Sequence, residues 1–184
     1  MIASTQIALD SLAANLGIPS LWLDRLLSFE SGFNPLARNP ISGARGLIQF
    51  TNTTARGMGY ASADDLVSKF PSASAQLAGP VFAYLNPLRP FPTEQSLYMA
   101  VFYPAARNWP LVRAFPAAVR AVNPGIITVS DYVRRVKRIP PAAIVAGILL
   151  VAGAVWWFTQ HNTKDGASWR RGDGQRGQLQ VVGR

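Results

Sequence analysis

Two short stretches hold the residues whose types and spacing could do chemistry. Residues 29–35 read FESGFNP and contain Glu30, one of only two glutamates in the chain. Residues 43–50 read GARGLIQF. The chain has no cysteine, and its only histidine, His161, lies in a polar C-terminal segment. A histidine-based metal site and a Ser-His-Asp triad therefore lack their parts, which leaves Glu30 as the main candidate for acid–base chemistry.

The apolar pattern before Glu30 predicts a helix with this carboxyl group on its apolar face. Four residues at positions i, i+3, i+4 and i+7 form that face: Leu23, Leu26, Leu27 and Glu30. Burial would raise the pKa of the carboxyl group, and a protonated acid near neutral pH can donate its proton to the leaving oxygen of a glycoside. A buried ion pair, for example with Arg45, or a helix-capping role would explain the same position. The helix pattern alone leaves all three readings open.

The remaining patterns predict a mainly helical fold, because no polar–apolar alternation is long enough for a sheet-based core. Residues 4–16 predict a helix with an apolar face of Ile7, Ala8, Leu12 and Leu16. Residues 34–50 are rich in Gly, Asn, Pro and Ser and predict a loop with at most a short β-ribbon. Ser62 and Thr93 are expected to cap helices, and a further helix is expected at residues 72–84. We expect this globular domain to occupy residues 1–128.

The two stretches, with their spacing, resemble the soluble lytic transglycosylase family of lysozyme-like enzymes that cleave peptidoglycan, and most of all its phage-borne branch. The resemblance covers about residues 8–120. It is carried by ESGFNP at residues 30–35 and by SGARGLIQFT at residues 42–51. Gln76-Leu77, Tyr84-Leu85 and residues 97–102 also resemble later helices of that branch. A third family motif, usually AYNAG, reads AVFYPA at residues 100–105.

The resemblance implies a lysozyme-like helical domain in which Glu30 is the catalytic acid and then the base. It implies that Ser31 helps to orient Glu30 or the acetamido group of the substrate, and that Gln49 lies near the acid. The implied substrate-binding residues are Ser31, Gly46, Leu47, Ile48, Gln49, Phe50, Phe102 and Tyr103. Phe102 stands where the family has a tyrosine, so the hydroxyl expected beside the acid is missing or comes from Tyr103 or Tyr98. No metal or cofactor is implied.

A lytic transglycosylase needs one carboxyl group, because the C6 hydroxyl of N-acetylmuramic acid (MurNAc) attacks its own C1 and gives a 1,6-anhydro end. Asp24 lies six residues before Glu30, so it is a poor candidate for a second catalytic carboxylate on the same helix face. The implied reaction is cleavage of the β-1,4 bond between MurNAc and N-acetylglucosamine (GlcNAc). A lysozyme-type hydrolase and a non-catalytic glycan-binding protein of a virion membrane are the alternatives. A protein whose function resides in its membrane span is a further one.

The C-terminal third has the pattern of a membrane anchor. Residues 139–158 form an uncharged run of 20 residues, enough to cross a hydrocarbon core of roughly 30 Å as a helix. We expect a basic juxtamembrane helix at 129–138, a transmembrane helix at 139–159 and a flexible basic tail at 160–184. Much of the net charge of +9 flanks this run, and we expect the juxtamembrane bases to bind anionic lipid headgroups: Arg134, Arg135, Lys137 and Arg138.

These patterns place the protein in a membrane. We expect a single-pass protein in the virion membrane of a membrane-containing phage, or otherwise in the host inner membrane, and no signal peptide. Peptidoglycan glycan strands, the lipid bilayer and other virion proteins are the expected partners. Nucleic acid is not expected, because no recognisable nucleic-acid-binding module accompanies the basic charge.

Overall fold

The computed structural model of the protein describes residues 3–138, and this part of the chain is mainly helical, as the sequence predicts. Short non-α turns join some of the helices: a π turn at Leu77–Val81 and 3₁₀ turns at Asn86–Leu88 and Pro104–Ala106. The helices are α1 (Ala3–Leu16), α2 (Ser20–Ser31), α3 (Asn52–Gly57), α4 (Ala63–Lys69), α5 (Ala73–Gln76), α6 (Phe82–Leu85), α7 (Glu94–Phe102), α8 (Ala117–Ala121) and α9 (Val129–Lys137).

The segment between α2 and α3 is the loop that its composition predicts. Its strand-like pairing consists of two isolated antiparallel bridges, Arg38 with Arg45 and Arg45 with Phe50. A third bridge joins Ala114 and Thr128, just before α9. No longer strand occurs in the part of the chain that the structure describes.

Side-chain caps fix where several helices begin. The Ser62 hydroxyl accepts a hydrogen bond from the Asp65 amide at the start of α4, and Thr93 forms a capping box with Ser96 at the start of α7. Both caps were expected from the sequence. The helix expected at residues 72–84 is instead divided into α5, a π turn and α6, because Pro80 has no amide hydrogen for an α-helical bond.

The core surrounds α2, whose three leucines Leu23, Leu26 and Leu27 are fully buried as predicted. Helices α1 and α7 pack against α2. The predicted face of α1 was partly wrong, because Ile7 is 67% exposed while Leu9 is buried with Leu12 and Leu16. The face of α1 is thus rotated from the expected one.

Helix α9 belongs to the packed unit, which therefore continues past the boundary expected at residue 128. It packs against α2 and α7, and its inner face is buried: Val129, Tyr132, Val133 and Val136. The helix itself was predicted, but as a separate juxtamembrane element. No helix among residues 3–138 is long and apolar enough to cross a membrane. The expected span at 139–159 and the expected tail at 160–184 lie outside the described residues.

Candidate active site

Glu30 lies at the end of α2 and is almost completely enclosed. Its exposure is 4%, because the leucine pattern of α2 turns this position toward the core. The helix ends at Ser31, and Gly32 follows in a left-handed conformation. The Gly32 amide donates to the Ser28 carbonyl at 3.1 Å, and the Phe33 amide donates to the Leu27 carbonyl at 3.4 Å. A carboxyl group is thus fixed in the core where the chain leaves the helix.

Burial raises the pKa of Glu30 from 4.5 to about 7, and a hydrogen bond from Tyr132 opposes part of this rise. A part of the Glu30 population therefore keeps its proton at neutral pH. No ion pair is recorded for Glu30 within residues 3–138. The alternative partner Arg45 instead pairs with Asp64, its Nε lying 3.0 Å from Oδ1.

Tyr132 supplies the hydroxyl beside the acid. Its Oη donates a hydrogen bond of 2.6 Å to Oε1 of Glu30, which leaves Oε2 to carry the acidic proton. Burial, and then the charge of Glu30, raise the pKa of Tyr132 well above its ordinary value, so the phenol keeps its hydrogen and continues to donate. The expectation that this hydroxyl would come from Tyr103 or Tyr98 was wrong.

Aromatic rings hold Tyr132 in this position. The Tyr132 ring stacks on Phe102 with centroids 4.0 Å apart. It also contacts Phe29, with the two rings perpendicular and their centroids 5.5 Å apart. Phe102 packs edge-on against Phe115 at 5.3 Å. Phe102, where the resemblance implies a tyrosine, therefore packs against the tyrosine that reaches Glu30 from α9.

Tyr132 was not among the predicted site residues, because the juxtamembrane role expected for this segment depends on its bases. A signal was present: the apolar residues of α9 recur at helical spacing and include Tyr132, which indicates a face packed on a core. The two partners are 102 residues apart in sequence. The periodicity could have predicted that Tyr132 is buried, but it could not have predicted which residue it contacts.

The loop expected to line the cleft is packed tightly beside the core. Leu47, Ile48, Gln49 and Phe50 are all buried. Gln49 has a positive φ of 56°, and its side-chain amide donates to the Gly46 carbonyl at 2.9 Å. That amide is therefore bound within the loop, and the placement of these residues in a substrate cleft stays a prediction.

Gln76 on α5 fixes this loop and was not recognised as a site-positioning residue from the sequence. It is fully buried, its Oε1 accepts from the Leu47 amide at 2.9 Å, and its Nε2 donates to the carbonyls of Pro35 and Phe70 at 2.7 and 2.9 Å. Gly46 has a φ of 78°, and a Cβ there would lie 2.7 Å from Oε1 of Gln76. A glycine is needed at position 46 for both conformation and space.

The other predicted site residues have partners of their own. Ser31 is half-buried, and its hydroxyl donates to the Leu27 carbonyl at 3.3 Å. Tyr103 is half-buried among Trp109 and Phe115. The buried Tyr98 points to Glu94, with 3.5 Å between its Oη and Oε2. None of these contacts involves Glu30.

A second tyrosine, Tyr84, belongs to the electrostatic surroundings of the acid. Its hydroxyl donates to the Ala100 carbonyl at 2.8 Å, and its ring meets Phe50 edge-on. Burial raises the pKa of Tyr84, Arg107 lowers it, and the charge of Glu30 raises it further. Tyr84 thus links the loop of residues 46–50 to α7 close to the acid.

The chemistry available at this site is proton transfer by one carboxyl group. No group of three or more His, Cys, Asp or Glu residues that could hold a metal ion occurs in the part of the chain that the structure describes. The chain matches no protein-family model, no curated protein and no solved structure. The resemblance to lytic transglycosylases therefore rests on the sequence motifs alone.

Proposed function

We propose that the protein is a peptidoglycan lytic transglycosylase in which Glu30 is the single general acid and base. One observation carries the proposal: Glu30 is buried, has a pKa of about 7 and receives a hydrogen bond from Tyr132. An acid with such a pKa is protonated in part at neutral pH and can also accept a proton once ionised. The first step of the proposed reaction needs the protonated state, and the second step needs the ionised state.

In the proposed reaction, the Oε2 proton of Glu30 passes to the glycosidic oxygen as its bond to C1 of MurNAc breaks. The Tyr132 hydroxyl stabilises the carboxylate that this transfer leaves behind. The C6 hydroxyl of the same MurNAc then bonds to C1, and its proton passes to Glu30. The products are a free GlcNAc hydroxyl and a 1,6-anhydro-MurNAc end, and the acid is restored.

The contacts of Glu30 agree with a one-acid mechanism. Its side-chain partner is the Tyr132 hydroxyl, and no carboxylate is among its recorded contacts within residues 3–138. Glu94, the other glutamate, is paired with Arg25 and Lys137. A retaining hydrolase would need a nucleophilic carboxylate close to the acid, and attack by the C6 hydroxyl removes that need.

The proposed setting is a membrane. In this proposal residues 139–159 anchor the chain and residues 160–184 form a polar tail, so the lysozyme-like domain is confined to the zone where a virion membrane meets the cell wall. Cleavage there would open the wall locally during phage entry or exit. The support is the uncharged run at 139–158 with its flanking bases.

Digestion of purified sacculi by the full chain in mild detergent tests the activity. Mass spectrometry of the released muropeptides should find 1,6-anhydro ends, and Glu30→Gln should abolish their release. Asp10→Asn is a matched control, because it makes the same change at an exposed carboxylate of α1. Reducing ends would indicate a hydrolase. No products from the wild-type chain, or undiminished release by Glu30→Gln, would refute the proposal.

A further inference from the structure

The outer face of α9 has an excess of positive charge. Three arginines and one aspartate give it a net charge of +2, since Asp131 neutralises only Arg134 at 2.9 Å. Arg135 donates to the Pro124 carbonyl at 3.1 Å and has no carboxylate partner within residues 3–138. The side chains open onto a shallow cavity of about 160 Å³ lined by Gly125, Asp131, Arg134, Arg135 and Arg138.

Lys137 does not belong to this face. It is bound to Oε1 of Glu94, and Oε2 of the same glutamate lies 3.5 Å from Arg25. Those contacts tie α9 to α7 and α2. Of the four bases expected to meet lipid headgroups, Lys137 is therefore bound to an acid of α7, whereas the three arginines line the cavity on the outer face of α9.

Three exposed apolar residues lie next to the beginning of α9. Leu111, Val112 and Ile127 are 46%, 83% and 54% exposed. The Ser130 amide donates to the Leu111 carbonyl at 2.8 Å, and the Ile127 amide donates to Oδ2 of Asp131 at 3.2 Å. These bonds place Leu111 and Ile127 beside the first turn of α9, and Val112 follows Leu111 directly in the chain.

We propose that this surface docks onto an anionic lipid bilayer with α9 lying along the membrane plane. The docking face consists of Leu111, Val112, Ile127, Arg134, Arg135 and Arg138. A guanidinium group can bind two oxygens of one phosphate at once, and apolar side chains beside such bases enter the boundary between headgroups and acyl chains. The arginines thus match the lipid phosphates, and the apolar residues match the region just below them.

The length of α9 determines the orientation. Its nine residues span about 13 Å, with the apolar residues near the first turn and Arg138 just past the last. Both ends can reach one bilayer only if the helix axis runs along it. A chain held solely by the proposed anchor, which rests on the uncharged run beginning at residue 139, would touch the bilayer at Arg138 alone. The docked domain instead has α9 between the bilayer and Glu30.

Site-specific fluorescence quenching tests this orientation in the full chain. The absence of native cysteines allows a single label at Val112→Cys, with matched controls at Ile7→Cys and Ile41→Cys, which are 67% and 73% exposed elsewhere. The protein is inserted in nanodiscs of phosphatidylcholine with or without phosphatidylglycerol, both containing a lipid with a nitroxide quencher at a shallow depth. We expect the label at position 112 to be quenched several-fold more than either control when phosphatidylglycerol is present.

A charge variant separates docking from simple tethering. Combined Arg134→Gln, Arg135→Gln and Arg138→Gln should reduce the quenching at position 112 to the level of the controls, while the chain still co-elutes with the nanodiscs. Equal quenching at positions 112 and 7, or quenching unaffected by the triple change, would overturn docking. Failure to co-elute at all would overturn the anchor and docking together. Glu30→Gln should dock normally, so loss of wall cleavage tests the proposed activity separately.

Discussion

Replacing Glu30 with glutamine should stabilise the protein above neutral pH while removing its proposed activity. The buried carboxylate is costly because the folded state disfavours its charge, as the rise in pKa from 4.5 to about 7 records. Glutamine has nearly the same shape and no charge, and its side-chain oxygen can still accept the Tyr132 hydrogen bond. The substitution therefore removes the cost of the charge and retains the packing.

The size of the effect follows from proton linkage. The folded state binds the Glu30 proton more tightly than the unfolded state does, so the free energy of unfolding falls as pH rises from about 4.5 and levels off above about 7. Relative to a permanently neutral side chain, the loss is about 1 kcal/mol at pH 5 and about 3 kcal/mol at pH 8. The gain from Glu30→Gln should therefore grow by roughly 2 kcal/mol between these pH values.

Urea unfolding of the full chain in a nonionic detergent, at pH 5 and pH 8, measures this difference. The wild type, Glu30→Gln and the control Asp10→Asn are compared. If the free energy of unfolding falls with urea concentration at the same slope in all three, a shift in the unfolding midpoint reports a change in stability. Asp10→Asn should show no such growth, since Asp10 is exposed. An advantage of Glu30→Gln that is the same at both pH values would refute the buried, proton-binding carboxyl group.

Two further substitutions probe the supports of the acid. Tyr132→Phe removes the hydrogen bond that lowers the pKa of Glu30, so cleavage should slow by about tenfold to a hundredfold and the loss of activity at high pH should move upward; an unmoved pH–rate profile would contradict this. Gly46→Ala should cost roughly 1–3 kcal/mol more than Gly17→Ala in urea unfolding. Both glycines have positive φ, but a Cβ at position 46 meets Gln76 at 2.7 Å and one at position 17 meets nothing within 4 Å; equal costs would contradict the clash.

Much of α2 and of the helix starts could be predicted because their causes are local. The spacing of three leucines and Glu30 determines one face of one helix, and the structure buries all four. Ser62 and Thr93 cap their helices through contacts three residues away. The prediction of the α1 face was partly wrong because a helix with apolar residues on several sides has more than one candidate face. Ile7 lies on the exposed one.

The partners of the site residues could not be predicted, because they come from distant parts of the chain. Tyr132 meets Glu30 across 102 residues, and Gln76 meets Leu47 across 29. Sequence periodicity predicts that such a side chain is buried but contains no information about its neighbour. The third motif illustrates this: the resemblance implies a hydroxyl at position 102, where the chain has Phe102, and Tyr132 of α9 supplies one instead.

The two faces of α9 connect where the protein would act with how it would act. The inner face holds Tyr132 against the acid, and the outer face carries the arginines of the proposed docking face. Because α9 is tied to α7 and α2 through Glu94, a bilayer that bound the outer face would hold the whole domain and not α9 alone. A lytic enzyme arranged in this way would cut the wall close to its own membrane.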